Sequence, residues 1–186
     1  MKKIFIVHGW EAAPNNHWFP WLKNELETRG FKVSVLPMPN TVHPKLSEWL
    51  KELQKQIGTP NSNVYMVGHS LGGTAVLRYL ESLPENEKIG GAVLVATPIE
   101  PIGYDEIGEF LDPPFNFEKI KQSAEHITLI YSDDDPVVPY QQGKILESAL
   151  GATLFTIKNG GHFNASDGFL QLPEVLDAVL QISKKE

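Results

Sequence analysis

Six short runs of β-branched and aromatic residues, each followed by a turn and most by a stretch with helical spacing, punctuate this chain from end to end. Ile4 to Val7 form the first, closed by His8-Gly9, and Phe31 to Leu36, Val64 to Val67, Ala92 to Ala96, Ile127 to Tyr131 and Thr153 to Ile157 follow. Runs of this length bounded by Gly and Pro read as buried strands. Between the first two, from about Asn16, Trp18, Trp21, Leu22 and Leu26 lie near helical spacing, with Gly30 as a C-terminal cap. Leu46, Trp49, Leu50, Leu53 and Ile57 form a second amphipathic stripe, stopped by Gly58 and Pro60. Thr74 to Leu83, Gln141 to Leu150 and Leu172 to Ile182 supply further helices. Parallel strands need long crossover connections, which are almost always right-handed and helical. The alternation therefore predicts a single α/β domain over residues 1–186: one parallel six-stranded sheet with helices on both faces.

Composition narrows what such a domain does. With 41% hydrophobic and 21% charged residues, the 186-residue chain has the make-up of an ordinary globular protein. A chain of this length buries roughly 70% of its unfolded surface and needs no staple. It has no cysteine, which excludes a thiolate nucleophile, a disulfide scaffold and a Cys-rich zinc site. Sixteen basic against 23 acidic residues, with no basic block, argue against nucleic acid and anionic membrane as partners. No apolar stretch approaches the roughly 20 residues of a membrane span. Met1-Lys2-Lys3 is followed only by Ile4 to Val7 before His8, too short for a signal peptide, so a cytoplasmic location is expected.

One stretch breaks the alternation. Between Pro98 and His126 there is no clean period, yet Phe110, Leu111, Phe115 and Phe117 cluster there with Pro113 and Pro114. That is too apolar for a solvated loop. It reads as a short cap, residues 98–126, over the carboxyl ends of the strands, with Phe110, Phe115 and Phe117 lining a substrate pocket. The alternative is an ordinary crossover helix packed on the sheet.

The third strand runs directly into Gly68-His69-Ser70-Leu71-Gly72-Gly73 and then into a helix. A bare Gly-x-Ser-x-Gly would arise by chance in roughly 6% of chains of this length and glycine content. Its setting is more telling, because a sharp strand-turn-helix elbow lifts a serine above a sheet and presents it to a helix amino terminus. Gly68 and Gly72 would let neighbouring backbone pass closely, and Gly73 would let the helix pack tightly. A serine hydroxyl needs a base, and the base an orienting carboxylate. Both follow in the order serine, acid, histidine: Ser132-Asp133-Asp134-Asp135-Pro136 after the fifth strand and Gly160-Gly161-His162-Phe163 after the sixth. All three groups sit just past strand carboxyl ends, where open parallel sheets place their ligands.

Of six histidines, His162 alone follows a late strand behind two glycines. His69 is expected to pack, His8 to brace the first loop, and His17, His43 and His126 to be surface or packing residues. No His-Glu-x-x-His or similar pair is present, so no metal and no cofactor are expected. Asp135 is the favoured acid, because Pro136 holds it extended, with Asp134 as runner-up. Asp133 and Asp134 also read as a solvated acidic turn or an adventitious calcium site. For the oxyanion, the Leu71 N–H and, from the turn after the first strand, the Trp10 N–H are the expected donors. Trp10 would also line the pocket.

These segments together resemble the small serine hydrolases related to retinoblastoma-binding protein nine, in particular the bacterial YdeN-like branch. The likeness rests on His8-Gly9-Trp10, on His17-Trp18-Phe19-Pro20-Trp21-Leu22, on Val67-Gly68-His69-Ser70-Leu71-Gly72, and on the aspartate and histidine segments quoted above. It implies a minimal α/β-hydrolase fold with sheet order 2-1-3-4-5-6, and a triad falling on Ser70, Asp135 and His162. It does not carry a retinoblastoma-type partner, since the Leu-x-Cys-x-Glu motif cannot exist without cysteine. The expected reaction is hydrolysis of a small-molecule carboxylic ester with a small apolar or aromatic acyl group through an acyl-enzyme. An amidase or thioesterase would use the same groups, and a catalytically idle binding module would keep only the fold.

Overall fold

A computed structural model describes residues 1–184. Six strands, β1 (Lys3–Val7), β2 (Lys32–Leu36), β3 (Val64–His69), β4 (Gly91–Val95), β5 (Ile127–Ser132) and β6 (Thr153–Ile157), form one sheet. Its order is β2-β1-β3-β4-β5-β6 and every pairing is parallel. The helices are α1 (Phe19–Glu27), α2 (Leu46–Ile57), α3 (Leu71–Ser82), α4 (Gly108–Leu111), α5 (Phe117–Gln122), α6 (Tyr140–Leu150) and α7 (Pro173–Lys184). No helix among the described residues is long and apolar enough to cross a membrane.

Strand pleating sorts the core into two layers. Ile4 and Ile6 of β1 face α1 and α7, where they meet Trp18, Leu22 and Val179, while Phe5 and Val7 face the α2 and α3 side. Covered on both faces, β3 and β4 are buried at every residue, as parallel central strands are. Helix α3 is buried from Leu71 through Leu80 and lies at the centre of its layer. The chain winds from β1 out to β2 and then back across to β3, so strand order reverses between β1 and β3. Open α/β sheets bind ligands in the crevice at such a reversal.

The stretch between β4 and β5 is divided. Ile102, Tyr104 and Ile107 line a cavity together with Gly9, Trp10, Ser70 and Leu71, just past the ends of β1 and β3. From Gly108 onward the chain is a crossover, and the expected pocket role of its three phenylalanines is corrected. Phe110 is wholly buried, edge-on to Trp49 at 5.3 Å between ring centroids. Phe115 and Phe117 stack on one another and line a separate groove with Ile99, Leu111 and Ile145. The cause is Arg78 of α3, which donates to the Phe110 carbonyl at 2.8 Å and to that of Pro113, with its guanidinium 3.8 Å above the Phe115 ring. These bonds tie the segment to α3 and away from the strand ends.

If Phe110 is core, Phe110→Ala lowers unfolding free energy by about 3–5 kcal/mol in urea melts. A variant of unchanged stability would return Phe110 to the pocket.

Candidate active site

At the end of β3 the chain turns so sharply that Ser70 takes a positive φ, 52° with ψ −126°, a strained conformation for a residue with a Cβ. The turn is held from both sides. The Ser70 N–H donates to the Val95 carbonyl at 2.9 Å, and the Ser70 carbonyl accepts from the N–H groups of Gly73 and Thr74. Side chains at the flanking glycines are sterically excluded: a Cβ on Gly72 would run into the carbonyls of Val7 and His8, and one on Gly68 into Gly73. Helix α3 therefore begins against β1, with the Ser70 side chain at its amino terminus.

His162 comes to that side chain from the loop after β6. Its Nε2 lies 3.0 Å from Ser70 Oγ, and its Nδ1 lies 2.8 Å from Asp135 Oδ2. The carboxylate only accepts, so Nδ1 carries the ring proton and Nε2 is left as the acceptor facing the serine hydroxyl. The Asp135 side chain is fully buried, and its other oxygen accepts from the N–H groups of Val137 and Val138 at 2.8 and 3.0 Å. The pair is thus shielded from water while the carboxylate remains hydrogen-bonded on both oxygens.

The oxyanion candidates lie alongside. Leu71 is the first residue of α3, so its N–H is outside the helix ladder. Gly9, just before Trp10, approaches so closely that a Cβ there would stand 3.2 Å from Ser70 Cβ. His8 braces this turn: its Nδ1 donates to the Gly9 carbonyl at 2.9 Å and its Nε2 accepts from the Met38 N–H at 3.2 Å. Trp10 donates its indole N–H to the Val42 carbonyl and tilts against Tyr104 at 5.1 Å. Ser70, His162, Trp10 and Leu71 share a cavity of about 180 Å³, which Ile102, Tyr104, Ile107 and Val137 also line. Larger hollows exist, but one lies below the sheet at the amino ends of β5 and β6 and the other is the Phe115 groove, so neither includes Ser70. Among the described residues no three His, Asp or Glu side chains are gathered as a metal ion would require.

A family model described as Serine hydrolase matches residues 4–181. The chain belongs to the serine hydrolase family. It is 39% identical to YdeN of Bacillus subtilis (strain 168) over 186 residues, covering 100% of this chain and 98% of that protein. It is also 26% identical to serine hydrolase RBBP9 of Rattus norvegicus over 183 residues, covering 96% of this chain and 95% of that one. The crystal structure of the B. subtilis ydeN gene product superimposes with a TM-score of 0.95 at 38% identity, covering 100% of both chains.

Three groups of this serine hydrolase have parts that their sequence positions understate. Asp133 and Asp134 are exposed, as a solvated turn requires, but they also hold the loop that carries His162. Asp133 Oδ1 accepts from the Asn159 N–H at 2.9 Å, and Asp134 Oδ1 accepts from the Gly161 N–H at 2.9 Å and from the Ser132 hydroxyl at 2.6 Å. These bonds hold the Asp134 carboxyl below its ordinary range, the Ser132 hydroxyl first. Three consecutive aspartates thus each grip a different part of the loop that carries His162. His69 packs, as its position implies, against Trp18, Phe19 and His162, but its Nε2 also donates to the His162 carbonyl at 2.8 Å. His17, expected as a surface or packing residue, packs against Phe19 and His69 but also lines the cavity and accepts from the Ala165 N–H at 2.9 Å. The aspartate grips carry no local signal, because they join residues more than 20 positions apart.

Burial pushes the His69 ring well below the ordinary histidine range, and the neighbouring His162 adds to this. The folded chain thus holds His69 neutral where the unfolded chain would protonate it. Its contribution to stability is complete above about pH 6.5 and is lost as pH falls toward the depressed folded value. His69→Gln keeps an N–H donor and removes the titration, so its melting temperature should fall less than that of wild type between pH 7.5 and 5. Equal slopes would contradict the assignment.

Proposed function

We infer that this serine hydrolase cleaves carboxylic esters through an acyl-enzyme on Ser70. The observation that supports it best is the unbroken bond chain from Ser70 Oγ through His162 to a buried Asp135, set at a strained elbow. In this reading His162 Nε2 takes the hydroxyl proton as Oγ attacks the acyl carbonyl, and Asp135 stabilises the imidazolium that forms. Charge developing on the carbonyl oxygen is met by the N–H groups of Leu71 and Trp10 and by the positive end of α3. Collapse of the intermediate breaks the ester bond, and His162 returns the proton to the leaving alcohol. Water, deprotonated by His162, then attacks the acyl-enzyme and releases acid and free Ser70.

The cavity is small beside the usual range of ligand pockets, roughly 300 Å³ and above. With Ile102, Ile107 and Val137 in its lining, it suits a short apolar acyl group. The substrate is accordingly a small-molecule ester.

A fluorophosphonate probe should label Ser70 in wild type and fail to label Ser70→Ala. Equal labelling of the two, or none of wild type, would leave a binding protein with an idle triad. On p-nitrophenyl esters, acetate and butyrate should exceed octanoate in kcat/KM. Asp135→Asn should lower kcat by roughly 10³–10⁴-fold while the fold is kept. A loss below tenfold would remove Asp135 from the orienting role.

A further inference from the structure

The wall of the cavity next to His162 differs from the rest. His17 and Asn164 line it. The His17 ring accepts the Ala165 N–H on Nδ1, so its proton sits on Nε2, which has no partner among the described residues. Asn164 precedes the short helical turn 165–167, its backbone N–H donating to Asp167 Oδ2 and its backbone carbonyl accepting from the Asp167 N–H, both at 3.0 Å, so that its side-chain amide has no partner among the described residues. What remains toward the cavity is the His17 N–H donor beside the Asn164 amide, which donates from its nitrogen. The wall is also held firmly. His17 has a φ of 50° and its ring packs edge-on to Phe19 and His69. Burial, with His162 reinforcing it, lowers the His17 pKa, so the ring is a neutral donor at neutral pH.

Chemistry tells which part of a substrate lies there. His162 must hand its proton to the leaving oxygen, so the leaving group lies on the His162 side of Ser70. Ala165, which pins His17, is three residues beyond His162, and Asn164 is two. The apolar residues Ile102, Tyr104 and Ile107 come from the opposite loop, after β4.

Resting on the ester-hydrolase reading, we propose that His17 and Asn164 form a leaving-group subsite selecting esters whose alcohol carries a further neutral oxygen, an ether or hydroxyl. A carboxylate is disfavoured, because Asp167 is bonded to the backbone N–H groups of His162 and Asn164 immediately behind this wall.

The test compares 2-methoxyethyl acetate with n-butyl acetate, near-isosteres that differ by one ether oxygen in the alcohol and give the same acetyl-enzyme. Hydrolysis is followed by acid release. Because kcat/KM reports acylation, the ratio of the two values reads the subsite and cancels any loss of folded enzyme. His17→Asn tolerates the positive φ and keeps a side-chain oxygen for the Ala165 N–H while removing the Nε2 donor. Asn164→Ala removes the amide donor and leaves both backbone bonds to Asp167 in place. Wild type should favour the ether ester, and each variant should cut that preference about 3- to 10-fold, the worth of one hydrogen bond. A ratio unchanged from wild type in both variants overturns the subsite. Failure of the fluorophosphonate to label wild-type Ser70 overturns the hydrolase reading itself, and the subsite with it.

Discussion

The backbone of α3 begins in contact with the carbonyls of Val7 and His8, and this close approach governs the rest of the site. It is available only where Gly72 has no side chain, and it leaves Ser70 no route from β3 into the helix except through positive φ. The strain raises the serine above the sheet, turns the first free N–H of α3 beside it, and brings Gly9 into contact from the neighbouring strand. The proposed nucleophile, the proposed oxyanion donors and the helix dipole are thus set by one contact between β1 and α3, at the point where strand order reverses.

Against that fixed serine the His162 imidazole must be placed from far along the chain. The loop after β6 has few apolar anchors of its own, and β6 is an exposed edge strand. Its position comes from polar bonds instead: Asp133, Asp134 and Asp135 from the adjacent β5 loop, His69 from beside Ser70, and Asp167 from within. Each of these bonds reaches the loop that carries His162, so the acidic run acts as a clamp whose last member also faces the imidazole. Phe163, the neighbour of His162, is buried in the core layer that α1 and α7 form on one face of the sheet.

Much of this was legible beforehand, for identifiable reasons. The six strands show because buried parallel strands are continuous apolar runs, and Ser70 shows because its glycines are steric requirements of the turn. The serine-acid-histidine sequence shows because each group follows its own strand. The sheet order came with the family resemblance, since periodicity is silent on which strands are neighbours. Phe110, Phe115 and Phe117 misled because an apolar cluster outside the periodic pattern has two explanations, and only the reach of Arg78 from α3 separates them. His17 was hidden for a similar reason. It stands in a loop without period, and its place beside Ser70 depends on a bond to Ala165, 148 residues away.

The central claim is that a covalent acyl group forms on Ser70 and nowhere else. Intact-protein and peptide mass spectrometry on samples quenched in acid during turnover of p-nitrophenyl acetate tests this directly. A single added acetyl group is expected, located on the peptide containing Gly68-His69-Ser70-Leu71-Gly72 and absent from Ser70→Ala. Release of p-nitrophenol with no adduct on that peptide, or with acetyl groups confined to surface lysines, would contradict it.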